Sequence, residues 1–237
     1  MESAAVQSAG LGRLGHRLTS TVGQKFVMAL SGLVLVLFVL GHLVGNLQVY
    51  SGPEKLNKYA EFLQGLGAGL WIVRAGLFAA VVAHVWSAWR LTLRAWAARP
   101  VKYVNEATAK ASISSRTMRW TGVAMLLFLA YHLLHFTLGG IPIEGVDPTA
   151  PKDVYVMVVH GFRDPANGGA YIVLMLLLGT HLHHGIASVF QTTGIVNDQY
   201  RPLLTRGGQV LAWVVMLGNV SMPLAILLNL GPFKDVL

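Results

Sequence analysis

The 237-residue chain has no cysteine. It can therefore form no disulfide, hold no iron–sulfur cluster through thiolates and attach no haem through thioethers, so any redox centre must be bound non-covalently by other side chains. Charge is scarce too. Charged residues make up 12% of the chain against 54% hydrophobic, whereas soluble domains carry about 25% charged residues. So few charges cannot cover a water-facing surface evenly, and the composition points to a protein embedded in lipid. Acidic residues are the scarcest, ten against eighteen Lys and Arg, for a formal net charge of +8. The basic residues stand beside apolar runs and form no patch interleaved with stacking aromatics. That excludes nucleic acid as the expected partner and turns attention to membrane topology and membrane lipid.

What the chain does have is long uncharged stretches. The intervals between Lys25 and Glu54, Arg119 and Glu144, Asp164 and Asp198, and Arg206 and Lys234 hold 28, 24, 33 and 27 residues, each more than the about 20 a membrane helix needs. A fifth stretch, from Ala75 to Trp89, has only fifteen, but the flanking Arg74, Arg90 and Arg94 can extend toward headgroups. The expected fold is all-α: a single domain over 1–237, a five-helix transmembrane bundle with spans near 26–50, 70–95, 120–141, 169–194 and 208–230. The first apolar run is longer than a signal-peptide core and is read as a retained span. Glu54 to Leu66 carries Leu56, Tyr59, Leu63 and Leu66 at helical spacing, which suits either a short interfacial helix or a loop. Ala97 to Arg116 reads as a polar connector with Pro100, and Pro142 to Gly169 as a Pro/Gly-rich loop.

Twelve of the eighteen Lys and Arg fall on the side of the amino terminus and six on the other. The positive-inside rule then places the amino terminus in the cytoplasm.

Nine histidines are present, and their distribution is informative. His42, His84, His132 with His135, and His181 with His183 and His184 fall in four different expected spans, while His16 and His160 fall outside and read as ordinary. An ionisable side chain in hydrocarbon is costly unless partnered, so its default reading is functional. The spans hold no carboxylate to complete a proton relay or a mixed zinc site. Neutral imidazole is a good axial ligand for haem iron, and four helices supplying one each make two bis-histidine sites in a bundle core. His135, His183 and His184 are surplus to these and are candidates for contact with quinone or haem propionates. Gly41, Gly45, Gly122, Gly179 and Gly185 flank the histidines and suit either a flat macrocycle or close helix packing.

Taken in order, Gly23-Gln24-Lys25, Met28-Ala29-Leu30-Ser31-Gly32 and Gly41-His42-Leu43-Val44-Gly45-Asn46-Leu47-Gln48 form one recognisable stretch. Arg119-Trp120-Thr121-Gly122 with Phe128 and His132 form a second; His181, Gly185 and Gly194-Ile195, together with His84 and Arg90, form a third. Over about Thr21 to Leu228 the chain resembles the membrane cytochrome b subunit of succinate:quinone oxidoreductases (succinate dehydrogenase/fumarate reductase), in its single-subunit, five-span, di-haem type.

The resemblance implies two haem b groups, one nearer the cytoplasm on His84 and His181 and one nearer the outer face on His42 and His132. It implies a flavoprotein and an iron–sulfur subunit at the cytoplasmic face, electron passage to or from a quinone, expected to be menaquinone, and a bacterial cytoplasmic (inner) membrane as location. It allows a higher oligomer of the complex. The carbon chemistry would belong to the partners, since this chain lacks nucleotide-binding glycine patterns and cluster ligands. Lys25, Ser31, Arg90 and Arg119 are the candidates for haem propionates; Asn46, Gln48, Glu61 and Gln64 are those for the quinone site. One departure stands out: Gly179 occupies the position, two before the ligand His181, where some members carry a glutamate thought to support proton transfer. Two other readings remain: the cytochrome b subunit of a hydrogenase or formate dehydrogenase, and a histidine-dependent transporter, although the repeated halves and broken spans of many transporters are not evident.

Overall fold

Helix formation follows the apolar stretches and begins where a short polar side chain can accept the first free N–H groups. The computed structural model describes residues 19–99, 112–147, 149–194 and 197–234. His16, Arg13, Arg17, Pro100, Lys102, Lys110 and Ile195 lie outside them. Helix α1 spans Thr21–Asn46, with the Ser20 side chain accepting from Gly23 N–H at 3.1 Å. Helices α2 (Pro53–Gly65), α3 (Ala68–Ala97), α4 (Ile113–His132), α5 (Val154–Arg163), α6 (Pro165–Thr192) and α7 (Arg201–Leu227) follow. Ser112 caps α4, Asp153 caps α5 and Asp164 caps α6 in the same way, each satisfying donors that a helix start leaves open.

Five helical stretches, Thr21–Ser51, Ala68–Ala97, Ile113–Thr137, Pro165–Thr192 and Arg201–Phe233, are long and apolar enough to cross a membrane. They correspond one for one to the expected spans, with shifted ends. The third starts at Ile113 rather than near 120 and closes in a π turn, Leu133–Thr137, with Gly139 at φ 68° ending it. The difference has a simple cause: uncharged stretches mark what hydrocarbon tolerates, whereas caps mark where a helix starts. Glu54 to Leu66 is helical, as α2. The stretch Pro142 to Gly169, read as a loop, contains helix α5, which corrects that expectation. Within the remaining loop, Asp147 accepts from the Thr149 N–H at 2.8 Å and hydroxyl at 2.7 Å, bonds that hold its carboxyl below the ordinary range.

The spans alternate in direction. Arg94 near the end of α3 donates to the Thr19 carbonyl at 2.6 Å and the Thr21 hydroxyl at 3.3 Å, at the start of α1. Tyr131 near the end of α4 donates to Asn167 at the start of α6. Helix α6 is central, packed on α7, α4 and α1, while α3 leans on α1 and on no other helix to a comparable extent. The fold therefore leaves the side between α3 and α4 thinly packed, bridged where the Arg119 guanidinium lies 5.7 Å from the Trp96 ring.

At the opposite end α2 and α5 pack together over the bundle. Asn57 joins them: its Oδ1 accepts from Val154 and Tyr155 N–H at 3.0 and 3.1 Å, and its Nδ2 donates to Asp153 at 3.0 Å. Beneath lies an apolar core of Leu43, Val49, Leu56, Val159, Phe162, Ile226 and Phe233, with Tyr155 and Tyr171. Replacing Asn57 by Ala leaves two helix N–H groups without acceptors, so thermal unfolding in detergent should show a loss of about 1–2 kcal/mol. An unchanged melting temperature would mean that water serves those groups equally well.

Candidate functional site: two opposed histidine pairs

The bundle brings four of the histidines together two by two. His42 of α1 faces His132 of α4 with ring centres 5.8 Å apart and planes at 87°. His84 of α3 faces His181 of α6 at 6.5 Å and 63°. These are the pairs that the resemblance implies. Gly32, which abuts the His84 ring, and His42 are ten residues apart on α1, about 15 Å at the rise of a helix. The His84–His181 pair thus lies nearer the end of the bundle where α1 begins, here called the inner end without reference to a membrane face, and the His42–His132 pair nearer the opposite, outer end. Expected span midpoints separate the pairs only loosely; the true starts of α1 and α4 make the separation plain.

Oxygen atoms on neighbouring helices set each ring. His84 Nδ1 lies 3.1 Å from the Met28 carbonyl and 3.4 Å from the Ser31 hydroxyl oxygen. A carbonyl only accepts, so Nδ1 carries the hydrogen and Nε2 the lone pair. His181 Nδ1 lies 3.1 Å from Thr121 Oγ1, and that hydroxyl already donates to the Thr117 or Met118 carbonyl. It therefore accepts from His181, which again leaves Nε2 free. His132 Nδ1 lies 3.3 Å from the Tyr171 hydroxyl, and His42 stacks on Phe38 with ring centres 5.4 Å apart. Such outer contacts fix the tautomer and direction of a metal-binding imidazole.

The space around the rings is kept clear by glycine. A Cβ on Gly32 would come within 3.1 Å of the His84 ring, and one on Gly122 within 3.5 Å of His181. Two imidazoles on opposite sides of one metal ion, each with a metal–nitrogen bond of about 2 Å, have ring centres about 6 Å apart. The observed separations fit that arrangement, so the residues present suit a bis-histidine metal centre in each pair.

The remaining candidates divide by end. Lys25, Arg90 and Arg119 share the inner end. Lys25 lines an open cleft of about 330 Å³ with Val22, Phe26, Gln191 and Thr192, while the Arg90 guanidinium lies 5.8 Å from the Trp86 ring. Ser31 lies within α1, where its hydroxyl donates to the Val27 carbonyl at 2.6 Å and sits beside His84. That position makes it a support for the ring. Asn46 Nδ2 donates to the His42 carbonyl at 2.7 Å. Gln48, Glu61 and Gln64 lie at the outer end, with Glu61 and Gln64 exposed, and no hydrogen bond among the described residues joins them to a histidine pair.

Of the surplus histidines, His183 Nδ1 lies 3.3 Å from the buried Ser114 hydroxyl and His184 Nε2 3.2 Å from Ser188. His135 is buried beside Tyr171. His160, outside the spans, donates to the Glu144 carbonyl at 2.9 Å. Sequence reasoning missed Tyr171 and quoted Thr121 only as part of a motif. Nothing local marks them, because each meets its histidine across 39 or 60 residues of chain. Comparison with protein-family models, curated proteins and solved structures finds no match, so the family resemblance stands on the residues that carry it.

Gly179 is buried against α7, where a Cβ would lie 2.6 Å from Met216 Sδ. Gly179→Glu should therefore part α6 from α7 and lower stability by about 1–3 kcal/mol or more, read as a lower melting temperature in detergent. Gly179→Glu with unchanged stability would show that Met216 can swing aside.

Proposed function

We propose that this chain is the di-haem cytochrome b membrane anchor of a succinate:quinone oxidoreductase. The carrying observation is the presence of two opposed imidazole pairs on four apolar helices, with glycine clearance and Nδ1 groups turned to oxygen acceptors. The link to succinate rests on the resemblance alone. In this reading His84 and His181 hold the inner haem b, and His42 and His132 the outer. Bound there, haem b supplies a one-electron couple shielded from water.

The chain's own residues do the holding and shielding. Met28, Ser31 and Thr121 orient the inner ligands; the apolar core beneath α2 and α5 excludes water at the outer end. Lys25, Arg90 and Arg119 offer cations to the propionates of the inner group. Asn46, Gln48, Glu61 and Gln64 are the candidate polar side chains for a quinone, menaquinone by expectation, at the outer end. The basic end faces the cytoplasm of a bacterial inner membrane and receives the iron–sulfur and flavoprotein subunits, with electrons running between them and quinone.

Membranes containing the complex should give a b-type reduced-minus-oxidised spectrum with succinate as reductant, and pyridine haemochrome analysis two haems per chain. His84→Ala or His181→Ala should remove one haem and leave the other largely in place. A folded, assembled complex that is colourless and iron-free would end the di-haem reading. Full haem content in both variants would reject the inner pair. Fusion of a reporter active only in the cytoplasm should give signal at the amino terminus and none within 142–147; the opposite pattern would invert the topology.

A further inference from the structure

A tyrosine hydroxyl has one hydrogen to donate and lone pairs with which to accept. Tyr171, buried on α6, meets two imidazoles at once: its oxygen is 3.3 Å from Nδ1 of His132 and 3.3 Å from Nδ1 of His135. Where the hydroxyl hydrogen lies along one of these contacts, that imidazole accepts at Nδ1 and the other donates from it. The direction of that chain then sets the tautomer of both rings. If His132 donates, its Nε2 presents a lone pair toward His42, and His135 carries its hydrogen on Nε2. If the chain runs the other way, His132 has a hydrogen on Nε2 and cannot bind a metal there.

His135 is built as a fixed end for this chain. It is 1% exposed, lies in the π turn, and has the Phe136 ring centre 4.2 Å and the Tyr131 ring centre 5.4 Å away. Tyr131 is itself held by its bond to Asn167. Gly161 leaves room on the remaining side, since a Cβ there would come within 3.3 Å of His135 Cε1. Among the described residues His135 Nε2 is buried without a partner. Among the described residues no other hydrogen bond competes with Tyr171 for His135, and π turns are frequent at functional positions.

We infer that Tyr171, backed by His135, is the positioning residue of the outer pair: it holds His132 in the tautomer whose bare Nε2 faces His42. This inference rests on the di-haem reading. An Nδ1–H given to an oxygen makes the opposite nitrogen a stronger ligand, which favours the oxidised metal. The inner pair depends on Met28 and Thr121 instead, so a change at Tyr171 reaches only one of the two haems.

The test is a redox titration of the assembled complex, followed in the haem absorbance. Tyr171→Phe should keep both haems and raise the midpoint potential of one, leaving the other where it was. His135→Leu, which takes the acceptor from the tyrosine, should move the same haem. His135→Gln, whose amide oxygen can replace that acceptor, should restore it. Two bound haems with both midpoints unchanged in Tyr171→Phe would overturn the inference and leave the di-haem reading intact, whereas an unsubstituted complex without haem would defeat that reading itself. Should Tyr171→Phe fail to assemble, the two His135 variants decide: a shift with Leu but not with Gln supports the inference, and equal midpoints overturn it.

Discussion

An imidazole placed in hydrocarbon needs a partner, and seven of them stand in four of the five apolar helices found among the described residues, helices that themselves hold no carboxylate. The bundle answers with neutral oxygens from neighbouring helices. The Met28 carbonyl serves His84, Thr121 serves His181, Tyr171 serves His132 and His135, and Ser114 serves His183. These contacts tie α1 to α3 and α4 to α6, so the order of packing in the bundle and the partnering of its histidines are one arrangement. A buried polar group left unpaired costs about 1–3 kcal/mol, and several such bonds together weigh heavily against any alternative packing.

The two ends of the bundle treat their histidine pairs differently. At the outer end the aromatic rings of Phe128, Tyr131, Phe136, Phe162 and Tyr171 crowd His132 and His135, and the α2–α5 cap closes over them. At the inner end His84 and His181 have no such aromatic shell among the described residues, and Ser87 is the buried residue of α3. Arginines lie over tryptophan rings at both ends, Arg90 and Arg119 at the inner and Arg74 at the outer. A cation over an aromatic face stays available to an anion at its other side. The outer pair is enclosed by aromatic side chains more closely than the inner pair.

Much of this was open to reading in the chain itself. Uncharged stretches located five spans because hydrocarbon penalises every charge, and the penalty does not depend on the fold. Their ends were less legible: Ser112 starts a helix well before the uncharged stretch that follows Arg119, whereas Asp164 starts one at the very edge of its own stretch. Helix α5 was hidden for a different reason. Its valines favour strands and its flanks are rich in Pro and Gly, and it is held by Asn57, 97 residues away from Val154. The four paired histidines were visible as polar intrusions into apolar sequence. Their supports were not: a threonine or tyrosine in a span is commonplace, and only the cross-helix geometry singles out Thr121 and Tyr171.

Gly179 shows how an absence in the spans carries through to the site. With Met216 filling the seam between α6 and α7 at that level, there is no room for the acidic side chain found there in some proteins of the family this chain resembles. Every partner identified for an imidazole within the bundle is then a neutral oxygen. A carboxylate partner would pull strongly on the Nδ1 hydrogen and enrich the opposite nitrogen; a carbonyl or hydroxyl does so more gently. The inner pair receives this pull on both rings, from Met28 and Thr121. The outer pair receives it on His132 through Tyr171, while His42 stacks on Phe38. In the di-haem reading the two irons share the same ligand atoms in unequal surroundings. Affinity for the electron can then differ between the two sites with no change of ligand.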